Sequence, residues 1–310
     1  MKRKRYKFGA VVFMLVLTML SAILWPAENA KTELRTVTCA DDLEGAGIGG
    51  VKSFMGGDAS GIYFRSLLGR DIATYSEFDT FEDAVKALNS GSVDAIWACD
   101  VTAEYAKKKY ENLEILDSSD MSETAKLKRP RFSFALAMPN TKENEELKKK
   151  LDGVIADMSS DGTLSMLTND YIHRVTEVEP FYEDDMWSRS DRFRAANEMK
   201  GVLEIGITGA TPPVELIDEK GNPTGFCVAF LDSIACGLKT DININILDTE
   251  TAYSQLMSGR VDILFTGAES GNTTQEEKKF LTSTGYLDMY NYKFIVRGKS
   301  ETDQGNGEIK

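Results

Sequence analysis

Histidine is almost missing from this chain: His173 is the only one, and cysteine occurs four times, as Cys39, Cys99, Cys227 and Cys236. One histidine excludes the common His-rich metal sites and leaves His173 alone to serve any histidine-based triad. Beside Tyr171 at the end of a helical pattern, it reads as a surface residue. The cysteines form no C-x-x-C pair and show no zinc spacing. Cys227 and Cys236 lie nine positions apart, so on one helix they would face opposite ways and could not bridge. No cofactor and no metal is expected. Basic charge is scarce as well. The formal net charge is −13, although five basic residues (Lys2, Arg3, Lys4, Arg5, Lys7) crowd the first seven positions. The rest is more acidic still, which argues against nucleic acid as a partner and against a polybasic membrane contact by the folded part.

The clearest local signal stands at the N-terminus. After the basic stretch, Phe8–Trp25 runs without a charge, and "PAENA" comes next, ending in small residues. This is the pattern of a signal peptide or of an uncleaved membrane anchor over residues 1–30, with both alternatives open. Either way the segment inserts in a membrane, and the positive-inside rule puts the remainder of the chain outside the cytoplasm.

Further along, the chain repeats itself. "LNSGSVDAIWACD" (Leu88–Asp100) is echoed by "LMSGRVDILFTGAE" (Leu256–Glu269). Each copy comes after a helical pattern; in the first, Phe81, Ala84, Val85 and Leu88 are spaced i, i+3, i+4, i+7. Ser-Gly supplies a stop, with the glycine suited to a left-handed cap, and a short apolar strand comes next. "GVLEIGIT" reads as a strand, "TPPVELIDEKGNPTG" as a turn-rich hairpin, "FCVAFLDSIACGL" as a helix and "ININIL" as a strand. Strands alternating with helices predict two parallel α/β sheets in two like-built lobes. Ligands of open α/β sheets sit beyond the carboxyl ends of strands. That directs attention to Cys99 and Asp100 after one repeated strand, and to Thr266, Gly267 and Glu269 after the other.

These segments carry a family resemblance. "GVLEIGITGATPPVELIDEKGNPTGF" with "LMSGRVDILFTGA" resembles the first half of a family 3 extracellular solute-binding protein. "DDLEGAGIGG", "FEDAVKALNSGSVDAIWACDVTAEY" and "MPNTKENEELKKKLDGVIADMSSDGTLSMLTNDYI" resemble its second half. The resemblance implies an α/β, two-lobed, periplasmic-binding-protein-like (type II) fold. It also implies an exported, non-enzymatic protein that captures a small polar solute, amino-acid-like or an amine, for ABC-type uptake or for sensing. The implied partners are that small-molecule solute and an ABC permease or a membrane sensor. A membrane-tethered sensor or a structural module with a degenerate site is the alternative. Related folds also host enzymes, for which Glu269 or Asp100 would be the only candidate acids.

The order of the halves departs from the family, in which the Gly-Val-Leu strand opens lobe 1 and the chain then crosses to lobe 2 at Asp-Leu-x-Gly. Here the lobe-2 half comes first. The pattern is that of a circular permutation cut at the hinge, or of the back half of one module joined to the front half of another. The expected layout is lobe 2 over 36–133, helices returning to lobe 1 over 134–175, a linker over 176–198, lobe 1 over 199–297 and a disordered tail over 298–310.

The scaffold matches better than the amino-acid grip does. The family's carboxylate-binding arginine falls on Glu276, its ammonium-binding aspartate on Cys99 with Asp100 one residue further, and an aromatic of the cleft on Thr211. Its lobe-2 anion loop falls on Ser53–Met55, and Thr208 stands at the end of the lobe-1 strand. Ser53, Cys99, Asp100, Thr208, Thr211, Thr266, Gly267, Glu269 and Glu276 are therefore the candidate ligand-binding residues. Given Glu269, Glu276 and Asp100, a neutral or cationic solute fits better than an ordinary amino acid.

Overall fold

A computed structural model describes residues 34–52, 71–116, 132–177, 201–269, 279–289 and 292–298. The chain divides into two units, Met1–Arg35 and Thr36–Lys310. Of the first, only Leu34 and Arg35 are described, both exposed. The apolar N-terminal run, the expected linker over 176–198 from residue 178 onward, and the tail beyond Gly298 lie outside the described residues.

In the second unit the chain runs through β1 (Gly47–Val51), β2 (Thr74–Phe78), α1 (Phe81–Ser90), β3 (Ala95–Cys99), α2 (Asp100–Lys109) and β4 (Leu113–Ile115). Then come β5 (Phe132–Pro139), α3 (Lys142–Ser160), α4 (Thr163–Thr168), a π turn (Asn169–His173) and α5 (Arg174–Glu177). Next are β6 (Val202–Ile207), the hairpin of β7 (Leu216–Ile217) and β8 (Pro223–Thr224), α6 (Phe226–Leu238), β9 (Asp241–Ile246) and α7 (Thr249–Met257). The described chain ends with β10 (Ile263–Glu269), β11 (Phe280–Thr282), β12 (Leu287–Met289) and β13 (Tyr292–Arg297).

The repeated unit explains its own sequence. Thr80 caps α1 by accepting from the Asp83 amide at 3.1 Å, and Asp248 caps α7 by accepting from the Glu250 amide at 2.8 Å. Phe81, Ala84, Val85 and Leu88 of α1, and Ala252 and Leu256 of α7, are buried. Each helix stops at a left-handed glycine, Gly91 at φ +79° and Gly259 at φ +75°. Then the aspartate ties the third strand to the first. Asp94 accepts from the Gly47 amide at 2.9 Å and donates its own amide to the Gly47 carbonyl at 2.7 Å. Asp262 does the same with Glu204, at 2.9 Å and 2.7 Å. Ser-Gly-x-Val-Asp thus fixes the register of β3 on β1 and of β10 on β6.

Two sheets result, with one plan. Lobe 2 has strand order β2-β1-β3-β13-β4; lobe 1 has β9-β6-β10-β5-β11, with β12 also on β5. In each, three parallel strands are joined by one antiparallel strand and then a short further strand. Two expectations are corrected here. The sheets are mixed rather than parallel, and β13 belongs to lobe 2, although it lies within the stretch 199–297 assigned to lobe 1. The reason is geometric. β12 ends in lobe 1 at Met289 and β13 begins at Tyr292, so β13 enters lobe 2 at the end where its parallel strands finish and runs against them.

Alternation along β13 is plain: Phe294 and Val296 pack with Val37, Leu43 and Ile48 on one face, and Ile295 with Phe81, Leu88 and Ile96 on the other. In lobe 1 the core lies under α6, which is apolar almost all round, and holds Phe134, Phe226, Phe230, Phe265 and Tyr286. The opposite face of the same sheet is covered by α7, whose Ala252 and Leu256 pack with Leu247, Val261 and Leu264. All four cysteines are free thiols, with Cys227 buried and Cys236 exposed on α6. His173 is exposed.

Candidate functional site

The site is built where strands of both sheets end. In lobe 2, β3 finishes at Cys99 and α2 begins at once with Asp100. Because the strand has ended there, Asp100 sits on the first turn of a helix, where its Oδ1 accepts from the Val101 amide at 2.9 Å. Cys99 is buried, and its Sγ lies 3.1 Å from Oγ1 of Thr102. Burial pushes the Cys99 thiol up to about 11. Thr102, also buried, donates its hydroxyl to the carbonyl of Pro212 at 2.6 Å. That bond joins lobe 2 to lobe 1.

In lobe 1, β6 ends at Ile207 and the chain turns through Thr208–Pro213. This turn is organised by a buried carboxylate. Oε2 of Glu215 accepts from the amides of Thr208 at 2.7 Å and Gly209 at 2.8 Å, and the Thr208 hydroxyl lies 3.3 Å away. The Glu215 amide in turn donates to the carbonyl of Thr211 at 2.9 Å. Gly209 has φ +69°, and a Cβ there would meet Ile217 Cγ1 at 2.8 Å. Only glycine serves at that turn. Burial raises the Glu215 pKa against the opposing effect of the amides. Two other buried groups, the Cys227 thiol and the Tyr286 phenol, are pushed up by burial first and by Glu215 second.

An apolar seam continues the contact. Tyr105 of α2 packs with Val175 of α5 and Leu216 of β7, with Tyr171 alongside. Val101 and Tyr292 lie against the lobe-1 core, and Cys99 is part of it. At the end of β1, Lys52 pairs with Asp79 of its own lobe at 2.8 Å and with Glu250 of α7.

Of the residues expected from the sequence, Cys99, Asp100, Thr208 and Thr211 stand around the Thr102–Pro212 contact. Thr266, Gly267 and Glu269 do not come after their strand as expected; they are inside it. β10 runs to Glu269, with Thr266, Gly267 and Glu269 opposite Ala135, Phe134 and Phe132 of β5. The antiparallel partner extends the strand past the point where its parallel neighbour stops. Ser53 and Glu276 lie outside the described residues. Sequence reasoning missed Thr102, Glu215 and Lys52. Thr102 stands three residues after Cys99, the spacing at which a helix's first turn folds back over its cap. Glu215 and Lys52 gave no local signal, because their partners are backbone amides or a distant helix.

Residues 203–309, about a third of the chain, match the family model described as bacterial extracellular solute-binding proteins, family 3. No curated protein matches the sequence. Among solved structures, the chain is similar to the zinc-bound ligand-binding component of an ABC-type import system from Staphylococcus aureus. The identity is 12%, over 82% of this chain and 66% of that one, with a TM-score of 0.40. It is also similar to the BvgS VFT2 domain from Bordetella pertussis, at 8% identity over 81% of this chain and 80% of that one, TM-score 0.38. A third is the periplasmic aliphatic sulphonate binding protein SsuA from Escherichia coli, at 10% identity over 82% and 65%, TM-score 0.33. The chain thus spans a little under two thirds of the length of the first and third of these.

Proposed function

We propose, taking the family resemblance of residues 203–309 as the premise, that this is an exported solute-binding protein. It holds a small polar solute between two lobes and delivers it to an ABC-type permease or a membrane sensor. It is a binder and not an enzyme. Phe8–Trp25 inserts in the membrane as a signal peptide or an anchor. The halves stand in permuted order, which one bilobal unit accommodates because each sheet still receives its full set of strands. The observation that carries the reading is the Thr102–Pro212 contact, which brings the carboxyl ends of β3 and β6 together. Cys99, Asp100, Thr208 and Thr211 surround that point, with Ser53, Thr266, Gly267, Glu269 and Glu276 as further contacts. A neutral or cationic solute suits this set, which puts an aspartate beside a protonated thiol and includes no arginine. Titration calorimetry against amino acids, amines and small peptides tests the proposal. Saturable heat supports it; silence across all three classes removes it.

A second reading draws on a specific observation. Thr208 and Gly209 spend their amides on Glu215, and Cys99 its thiol on Thr102, so part of the expected grip serves the protein itself. That favours a tethered sensor or structural module. N-terminal sequencing of the exported protein discriminates, since an intact first segment marks the tether.

A further inference from the structure

Among the described residues, three kinds of contact tie lobe 2 to lobe 1, each made by the chain's own side chains. The buried one is directional. Thr102 has a single hydroxyl proton, and it goes to the Pro212 carbonyl at 2.6 Å. At 3.1 Å from Cys99 Sγ, the same oxygen therefore accepts, and the thiol donates. Cys99, Thr102 and Pro212 form one chain of hydrogen bonds running from the end of β3 into the turn after β6. Losing it would strand a buried carbonyl, since Pro212 is itself buried. The apolar tie is Tyr105 against Val175 and Leu216, together with Val101 and Tyr292 against the lobe-1 core. The third is ionic. Lys52 has three ammonium protons, so it keeps Asp79 of its own lobe while also holding Glu250 of the other.

The polar ties sit at the ends of different strands, β3 and β1, so together they resist rotation of one lobe against the other as well as separation. We propose that they form a built-in latch, so that the lobes rest closed on each other with no contribution from a solute. The closed arrangement is then the ground state, and anything entering between the lobes acts on the minor, unlatched population. Its apparent affinity is reduced by that fraction. This goes beyond the solute-binding reading and holds whether or not the cleft binds anything.

The latch is tested by distance measurements between spin labels, in the extensively dialysed protein with nothing added. One label is placed at Lys86→Cys on α1 of lobe 2, where the side chain is exposed, and the other on exposed native Cys236 of α6, in a Cys39→Ser background. The expected result is one narrow distance population, at the separation the closed lobes set for these two sites. Thr102→Val adds a longer population, raising the open-to-closed ratio about tenfold, the size of one buried hydrogen bond. Thr102→Ser, which keeps the hydroxyl, restores the single closed distance. Glu250→Gln raises the ratio by about twofold, and about 1 M salt does the same to the unsubstituted pair, because this tie is partly exposed. Should Thr102→Val fail to fold, the Glu250→Gln and salt arms decide. A broad distribution, or one longer than the closed separation, in the starting protein overturns the proposal, and so does a single distance that neither substitution nor salt moves.

Discussion

Arg297, at the end of β13, reaches across its sheet to Asp94 of the repeated motif, with the guanidinium 3.7 Å from the carboxylate. It also donates to the Val93 carbonyl at 3.1 Å and to that of Leu88, at the end of α1. Asp94 is thereby pinned from two sides, by the Gly47 amide and by an arginine from the far end of the described chain. Asp262, its counterpart, is exposed.

Asp94→Ala is accordingly expected to cost about 2–3 kcal/mol of stability, and Asp262→Ala about 1 kcal/mol. Asp94→Asn, which can still accept from Gly47, should lie between Asp94→Ala and the parent. Urea unfolding of the three variants gives the order. Equal losses at the two aspartates would show that the arginine contributes nothing.

Glu215 predicts a pH dependence. Its pKa is raised in the folded protein, so folding takes up a proton over the window from the ordinary carboxylate value upward to the folded value. The stability tied to this group is complete below the unfolded pKa and is lost as pH rises through the folded one. Glu215→Gln keeps an oxygen for the Thr208 and Gly209 amides and removes the titration. Its stability relative to the parent should therefore rise as pH climbs above the ordinary carboxylate value, and level off once the folded pKa of Glu215 has been passed. Glu215→Ala, which leaves both amides unpaired, should cost about 2–4 kcal/mol throughout. Denaturant titrations across that range read both effects.

The thiols should separate by burial. Cys99, pushed up to about 11, and buried Cys227 are expected to resist a thiol reagent at neutral pH until the protein unfolds. Exposed Cys236 should be modified first among these three, although burial of part of its side chain raises its pKa too. Mass spectrometry of timed alkylation resolves the sequence of events. Modification of Cys99 at the rate of Cys236 would contradict the buried relay to Thr102.

Gly237 lets two helices touch. A Cβ there would stand 2.5 Å and 2.8 Å from the methyl carbons of Val154 on α3. Alanine should gain about 1 kcal/mol of helix propensity but lose about 1–3 kcal/mol to overpacking, for a net loss. In a Val154→Ala background the clash is gone and Gly237→Ala should become neutral or stabilising. A thermal-unfolding double-mutant cycle measures the coupling, and additivity would rule the contact out.

Local pattern carried far in this sequence. The spacing of Phe81, Ala84, Val85 and Leu88 and the glycines at 91 and 259 were sufficient to place two helices and their ends, because caps and amphipathic faces are local physics. The repeated aspartates were recognisable as architecture for the same reason. Sheet membership was only partly legible. The expected layout returned the chain to lobe 1 from residue 134, where β5 lies, yet nothing in "YKFIVR" says that β13 crosses to lobe 2. Buried strands in either sheet need the same apolar alternation. The site was half visible. Cys99 and Asp100 were found by tracing a strand to its end, whereas the carboxylate of Glu215 looked like any surface acid until folding wrapped backbone amides around it. The extent of β10 was hidden too, since a strand's length depends on the partner that arrives beside it.

The exchange of β5 and β13 has a bearing on how the protein is made. Once Ala95–Cys99 has left the ribosome, β3 can pair with β1, while its other partner, β13, is still unmade. Lobe 2 can gather its helices early, but its sheet stays open until Tyr292–Arg297 emerges. Lobe 1, made later, finds β5 already waiting. Synthesis therefore leaves the sheet of the early half unfinished until β13 pairs with β3 and β4.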